Sequence, residues 1–234
     1  MRDKFVGDVG DFGKYGLLRA LCGRDLRLGV VWCFVPDRGI GYLERPGRFK
    51  DCDASLFEAL DQLVRSCRRS LETVEESEIL PEGTVFCRQP VPTQLEKRKA
   101  WADHASEETK HCDLVFLDPD NGLRADPLIG DKVSAQYVYY KDLKPFLHPT
   151  RALVIYHDLG RVPRSAEKAE IELHSLELRN RGNIVGNIWA LRWGAFLRRA
   201  YFIIPNGRET DLEPRIKALL SGQWGQHFEP VIFP

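Results

Sequence analysis

Short runs of apolar residues, each bounded by turn-forming residues, recur along the chain and predict β-strands. The clearest is Leu114–Leu117, four consecutive apolar residues of the kind found on a central strand buried on both faces. Further runs predict strands at residues 30–35, 84–88, 151–158, 186–193 and 198–204. Because only a short, glycine-containing link separates the last two, we expect them to form an antiparallel hairpin.

Between these strands the apolar residues fall at helical spacing. They predict a helix that ends at Gly23, and further helices at residues 54–70, 93–109, 165–181 and 211–220. Alternating strands and helices indicate a parallel sheet covered by helices. The prediction is a three-layer, Rossmann-like α/β fold with a mostly parallel seven-stranded sheet and a C-terminal antiparallel hairpin. No linker or repeat divides residues 1–234, so we expect one domain, with a partly helical insertion around residues 44–82.

The strongest candidate chemistry follows the apolar run at 114–117. The next residues read Asp118-Pro119-Asp120-Asn121-Gly122, where the proline cannot donate to a strand ladder and Asn-Gly favours a turn. Two carboxylates and a carboxamide are therefore expected at the carboxyl end of a central strand, the edge where open α/β sheets bind ligands. Ordinary turns use the same residue types. We predict Asp118, Asp120 and Asn121 as catalytic residues.

The N-terminal segment repeats glycine at every third position, at Gly7, Gly10, Gly13 and Gly16. Charged residues lie between these glycines, namely Asp8, Asp11 and Lys14. The spacing is not that of a dinucleotide-binding fingerprint. It would suit the glycine-rich start of a packed helix, but the density of glycines and charges favours backbone that approaches a ligand. Gly7, Asp8, Asp11 and Lys14 are predicted as cofactor-binding residues.

Two other strand ends add candidates. The strand at 30–35 runs into Pro36-Asp37-Arg38-Gly39-Ile40-Gly41, and a strand followed by a glycine loop commonly cradles a nucleotide-like cofactor. Asp37, Gly39 and Gly41 are predicted to bind that cofactor. The strand at 151–158 ends in His157 and Asp158, of which His157 is predicted as a catalytic residue that relays a proton.

Composition narrows the class of partner. Thirty-four basic and 34 acidic residues give a formal net charge of zero, so contact with RNA or DNA would require a local patch such as Arg65, Arg68 and Arg69. No apolar stretch reaches the length of a transmembrane helix and no signal peptide is evident, so we expect a cytoplasmic protein with no membrane partner. The six cysteines form no C-x-x-C pair, which favours free thiols.

Taken together, these motifs resemble the class I S-adenosylmethionine-dependent methyltransferases, and within them the bacterial large-subunit ribosomal RNA adenine-N6 methyltransferases. The segment from Gly7 to Tyr15 is similar to their N-terminal signature, and Phe116-Leu117-Asp118-Pro119-Asp120-Asn121-Gly122 lies where they carry Asp-Pro-Pro-Tyr. A similar Asp-Pro-x-Gly variant occurs in the three-Cys-motif partner proteins. The resemblance implies that Asp11 and Lys14 help to hold S-adenosylmethionine and that the terminal hairpin belongs to the fold. In this chain Asp120 replaces the second proline and Asn121 the aromatic residue that stacks on a flipped base.

Three functions remain open from the sequence. The first is methyl transfer from S-adenosylmethionine to a nucleic-acid or nucleobase amine, with Asp118 accepting a hydrogen bond from the substrate. The second is a metal-dependent nuclease or hydrolase, in which Mg²⁺ or Mn²⁺ is held by Asp118, Asp120, His157 and Asp158. The third is a non-catalytic partner protein with the methyltransferase fold. Binding of S-adenosylmethionine distinguishes the first from the second, and turnover distinguishes both from the third.

Overall fold

We analysed a computed structural model, which describes residue 3 and residues 6–35, 47–66, 69–128, 132–160, 162–194 and 198–234. Its helices are α1 (Val9–Cys22), α2 (Ala54–Arg65), α3 (Leu71–Glu75), α4 (Leu95–Glu108), α5 (Glu167–Asn180) and α6 (Glu209–Ser221). Its strands are β1 (Leu28–Val31), β2 (Val85–Cys87), β3 (Leu114–Leu117), β4 (Gly122–Arg124), β5 (Tyr137–Tyr139), β6 (Ala152–Asp158), β7 (Trp189–Trp193), β8 (Arg199–Ile204) and β9 (Phe228–Ile232). Between β1 and β2, the predicted insertion contains α2 and α3.

Seven strands form one mixed, mostly parallel sheet in the order β2-β1-β3-β6-β8-β7-β9. The first four are parallel, and Val31 of β1 lies beside Leu117 of β3. β8 is antiparallel to β6 and to β7, which confirms the hairpin. The seventh strand is β9, which extends the antiparallel part beyond the predicted hairpin. The sequence predicts no strand there, because Pro230 interrupts the run and proline in a strand is confined mainly to edges.

Helices cover both faces of this sheet. Apolar side chains of β3 alternate between the two faces. Leu114 and Phe116 pack with α1, α2, α3 and α6 on one face. Val115 and Leu117 pack with α4, α5 and the 3₁₀ helix at Tyr140–Phe146 on the other. This alternation follows from the two-residue period of a strand. It places Asp118, the next residue in line, on the α1 face. In the part of the chain that the structure describes, no helix is long and apolar enough to cross a membrane.

Two of the boundaries that differ from the prediction bear on the candidate site. β1 ends at Val31 rather than continuing to residue 35, and Cys33 has a φ of 44°, which extended backbone does not allow. α1 begins at Val9, so Gly10, Gly13 and Gly16 lie inside a helix rather than in a ligand-binding loop. Its predicted end at Gly23 is confirmed.

Candidate functional site

The carboxyl ends of β1 and β3 define the place where a ligand is expected. From β1 the chain passes to β2 on one side, whereas from β3 it passes to β6 on the other. Open α/β sheets bind ligands at such a switch point, in the crevice outside the strand ends. The two ends are joined by a hydrogen bond of 2.9 Å from the backbone N–H of Asp118 to the carbonyl of Val31.

A buried cluster of charged side chains lies at this edge. The Lys14 ammonium is 2.9 Å from Asp11 Oδ1 and 2.8 Å from Asp118 Oδ2, and all three side chains are almost completely buried. Burial alone disfavours the ammonium, but the carboxylates of Asp11 and Asp118 outweigh it and raise the pKa of Lys14. The pair Lys14–Asp118 thus joins the N-terminal glycine segment to the strand-end turn, although the two residues are 104 positions apart.

The start of α1 organises the rest of the cluster. Asp8 caps the helix by accepting the N–H of Asp11 at 2.8 Å, and Asp11 accepts the N–H of Gly7 at 3.0 Å. Burial raises the pKa of Asp8, while the guanidinium of Arg199, 3.6 Å away, acts in the opposite direction. Four of the predicted cofactor-binding residues, Gly7, Asp8, Asp11 and Lys14, are therefore close together.

The glycines inside α1 have a packing role. A Cβ atom at each would overlap a large side chain that lies against the helix. The distances would be 1.2 Å from Arg199 at Gly10, 2.8 Å from Trp193 at Gly13 and 2.2 Å from Trp224 at Gly16. At Gly7 the φ of 83° itself favours glycine. The repeat thus lets α1 approach the antiparallel strands and the segment after α6. This is the role that the alternative interpretation above, a glycine-rich packed helix, gives to these glycines.

Asp120 and Asn121 lie on a different part of the loop. Asp120 Oδ2 accepts a hydrogen bond of 2.9 Å from the side chain of Gln136. The backbone of Asn121 donates to the carbonyl of Gln136 and accepts from the N–H of Asp158, beside the small parallel pair β4–β5 that the sequence analysis does not predict. Asp118 and Asp120 therefore leave the same strand end with different partners, Lys14 for the first and Gln136 for the second.

His157 is on the opposite face of the sheet from Asp118. Its Nδ1 accepts the N–H of Leu123 at 3.0 Å, and its ring centroid lies 4.2 Å from that of His174 on α5. Burial, and then the neighbouring His174, lower the pKa of His157 to about 3. A neutral imidazole in this setting holds the chain after Gly122 in place, so the structure does not bring the predicted proton relay to the cluster.

The metal-dependent alternative requires Asp118, Asp120, His157 and Asp158 to converge, and the structure does not bring them together. Among the described residues, the group that could place three ligand atoms within 4.8 Å of one another is His157, Glu170 and His174. However, His157 Nδ1 is already an acceptor, so the neutral ring carries its proton on Nε2. A metal ion would have to displace that proton, which weakens this group as a cation site.

Asp37, Gly39 and Gly41, and Arg68 of the arginine patch, lie outside the described residues. Arg65 pairs with Asp61 at 2.6 Å, and the side chain of Arg69 donates to the carbonyl of Val6. These contacts give both arginines an intramolecular role.

Sequence reasoning missed the side chains that complete the cluster. Arg199 lies over the ring of Tyr156, with 5.4 Å from its guanidinium carbon to the ring centroid. Tyr201, two residues further along β8, is directly opposite Tyr156 of β6. The one available signal was an arginine and a tyrosine that alternate with apolar residues in a buried strand.

Comparisons with known proteins leave the function to be argued from these residues. No protein-family model matches the chain, and no curated protein matches it.

Proposed function

We propose that this protein is an S-adenosylmethionine-dependent methyltransferase that acts on an amine of a nucleobase or nucleic acid. The observation that carries the proposal is the buried contact of Lys14 with Asp11 and Asp118 at the carboxyl edge of β1 and β3. Burying charged groups is costly unless they are paired, so a charged cluster beside a binding crevice supports a functional role.

The composition of this cluster suits the cofactor. Three carboxylates, from Asp8, Asp11 and Asp118, face two cations, Lys14 and Arg199. When these groups are ionised, the excess of negative charge favours a ligand that carries positive charge, as the sulfonium of S-adenosylmethionine does. The ring of Tyr156, which faces both cations, adds a surface suited to cations. When bound, the cofactor supplies a methyl group that is already activated for transfer.

Methyl transfer requires alignment of the nucleophile more than side-chain chemistry. Asp118 is suited to that task, because its carboxylate has about four acceptor positions and can receive a substrate N–H in addition to its contact with Lys14. Two neighbouring carboxylates engage the Lys14 ammonium, so we assign Lys14 to orienting Asp118. From the sequence alone, Lys14 is predicted to bind the cofactor itself.

The decisive experiment pairs binding with turnover. Titration calorimetry with S-adenosylmethionine should show binding to the wild-type protein, and radiolabelled cofactor should transfer its methyl group to RNA, DNA or free nucleobases. Asp118→Asn should abolish turnover and leave cofactor affinity within about threefold, because Asp118 is assigned to the substrate. Asp103→Asn, the same change on the exposed face of α4, serves as the control and should retain full activity.

Each alternative gives a distinct result in these assays. Binding of S-adenosylmethionine without transfer to any substrate would favour the non-catalytic partner protein. Binding of Mn²⁺ that Asp118→Asn abolishes, with no affinity for S-adenosylmethionine, would favour the metal-dependent hydrolase.

A further inference from the structure

The guanidinium of Arg199 has one buried nitrogen that lacks a hydrogen bond within the described residues. Its Nη2 is 3.6 Å from Asp8 Oδ2, beyond hydrogen-bond distance, and its Nη1 is buried with no partner among the residues that the structure describes. The side chain is 11% exposed, so the group is near the surface of the cluster. A guanidinium offers five N–H donors, and leaving buried donors unpaired costs free energy.

Two more unpaired polar groups lie close to it. Tyr201 is on the same face of β8, two residues from Arg199, and Trp193 is directly opposite Arg199 on β7. Both residues are fully buried, and neither the hydroxyl of Tyr201 nor the indole N–H of Trp193 has a partner in the described part of the chain. Buried polar groups are almost always hydrogen-bonded, so three unpaired donors on adjacent strands indicate an acceptor that belongs to a ligand.

The charges around these donors restrict the class of ligand. Asp8 lies beside Arg199, and Asp158 is directly opposite it on β6. These carboxylates would repel a ligand that carries only negative charge, such as inorganic phosphate. A carboxylate that has an ammonium group on the neighbouring carbon matches both signs of charge, and this is the end group of an α-amino acid.

We propose that Arg199 binds the carboxylate of an α-amino acid group, with the hydroxyl of Tyr201 as a second donor and Asp8 beside the ammonium. This inference deepens the proposed function and rests on it, because S-adenosylmethionine ends in such a group. Arg199 would thereby make a cofactor contact in place of Lys14, which the sequence predicts as a cofactor-binding residue. A planar guanidinium fork matches a carboxylate better than an ammonium does.

The test measures selectivity for the carboxylate. Calorimetry compares S-adenosylmethionine with its decarboxylated analogue in the wild type, in Arg199→Gln and in Tyr201→Phe. We expect the wild type to prefer the carboxylate-bearing ligand by roughly 10- to 100-fold, the range for a hydrogen bond to a charged group. Arg199→Gln should bring the ratio close to one, and Tyr201→Phe should reduce it severalfold. Arg208→Gln, which alters an arginine paired with Asp113 at the far end of β3, should leave the ratio unchanged.

Tyr201→Phe keeps the test valid if Arg199→Gln does not fold, because it removes only a hydroxyl that has no partner in the described structure. A folded Arg199→Gln or Tyr201→Phe protein with the wild-type ratio would overturn the proposal, since the residue would then have only a structural role.

A second measurement separates this proposal from the proposed function. Thermal unfolding is followed with L-methionine, with L-methioninol, which lacks the carboxylate, and with inorganic phosphate. Stabilisation by methionine alone, and weaker stabilisation in Tyr201→Phe, would support the Arg199 site even if S-adenosylmethionine does not bind. In that case only the methyltransferase proposal would fail. Two outcomes would overturn the amino-acid site. One is that phosphate stabilises the protein as much as methionine does. The other is that methionine does not stabilise the protein and S-adenosylmethionine does not bind to it.

Discussion

At the scale of single residues, the molecule depends on charges that are buried in pairs. Lys14 on α1 has two carboxylate partners, Asp11 and Asp118, and its side chain is only 3% exposed. Removing one partner of a buried pair leaves a charge without compensation, which is far more costly than losing a surface ion pair.

Lys14→Met tests this arrangement, because it keeps most of the length of the side chain and removes the ammonium. We expect the free energy of unfolding to fall by about 3–5 kcal/mol, as for other broken buried pairs. Urea denaturation measures the loss, and Lys99→Met on the exposed face of α4 should change stability by less than about 0.5 kcal/mol. In the Lys14→Met background, Asp118→Asn should lower the free energy of unfolding by less than it does in the wild type. If the two changes instead lower it additively, Lys14 and Asp118 do not form a direct pair.

His157 gives a prediction about pH. Its pKa is about 3 in the folded protein against an ordinary value of 6.5, so between these values the unfolded chain binds the additional proton. Stability should therefore fall as the pH drops through this window, by about 2 kcal/mol at pH 5 relative to pH 8. His157→Asn retains an acceptor for the N–H of Leu123 but does not titrate. Denaturant titrations should show that this component disappears in the variant, and an identical pH profile would contradict it.

At the scale of elements, α1 is shaped by what packs on it. Replacing an interior glycine of a helix by alanine usually stabilises the helix by about 1 kcal/mol. Here Gly13→Ala should instead destabilise the protein by about 1–3 kcal/mol, because the new Cβ would lie 2.8 Å from the buried Trp193 ring.

Chemical denaturation of Gly13→Ala and of Gly186→Ala makes the comparison, since no atom of the described residues lies within 4 Å of a Cβ at Gly186. The control should stay within about 0.5 kcal/mol of the wild type. Trp193→Phe should recover part of the stability that Gly13→Ala loses. A Gly13→Ala protein that is more stable than the wild type would refute the packing explanation.

At the scale of the whole molecule, α1 lies across the boundary between the parallel and the antiparallel part of the sheet. It contacts Asp118 at the end of β3 and Arg199 on β8, while Trp224, after α6, packs against Phe12 and Gly16. The candidate site therefore depends on the C-terminal strands as much as on the parallel ones.

Phe228 of β9 provides the test at this scale. It is buried against Trp193 with ring centroids 4.9 Å apart, so Phe228→Ala should cost about 3–5 kcal/mol. Thermal melts should show a much smaller effect for Phe233→Ala, whose ring is only partly buried. An equal effect of both changes would argue against a specific role of β9 in the core.

The sequence by itself determined the elements whose signal is local. The apolar run of β3 has the predicted bounds, and the glycine that ends α1 is where the sequence places it, because strand periodicity and helix capping depend on neighbouring residues. The turn that follows β3 carries its carboxylates to the expected edge of the sheet for the same reason.

Only the tertiary structure decided which of these groups meet. Lys14 pairs with Asp118 across 104 positions, and no local pattern reports such a contact. The side of the sheet that a residue occupies depends on the register of several strands, and this register places His157 away from Asp118 and Arg199 beside Asp8. The role of the α1 glycines was hidden for the same reason, since Arg199, Trp193 and Trp224 come from the last 42 residues of the chain.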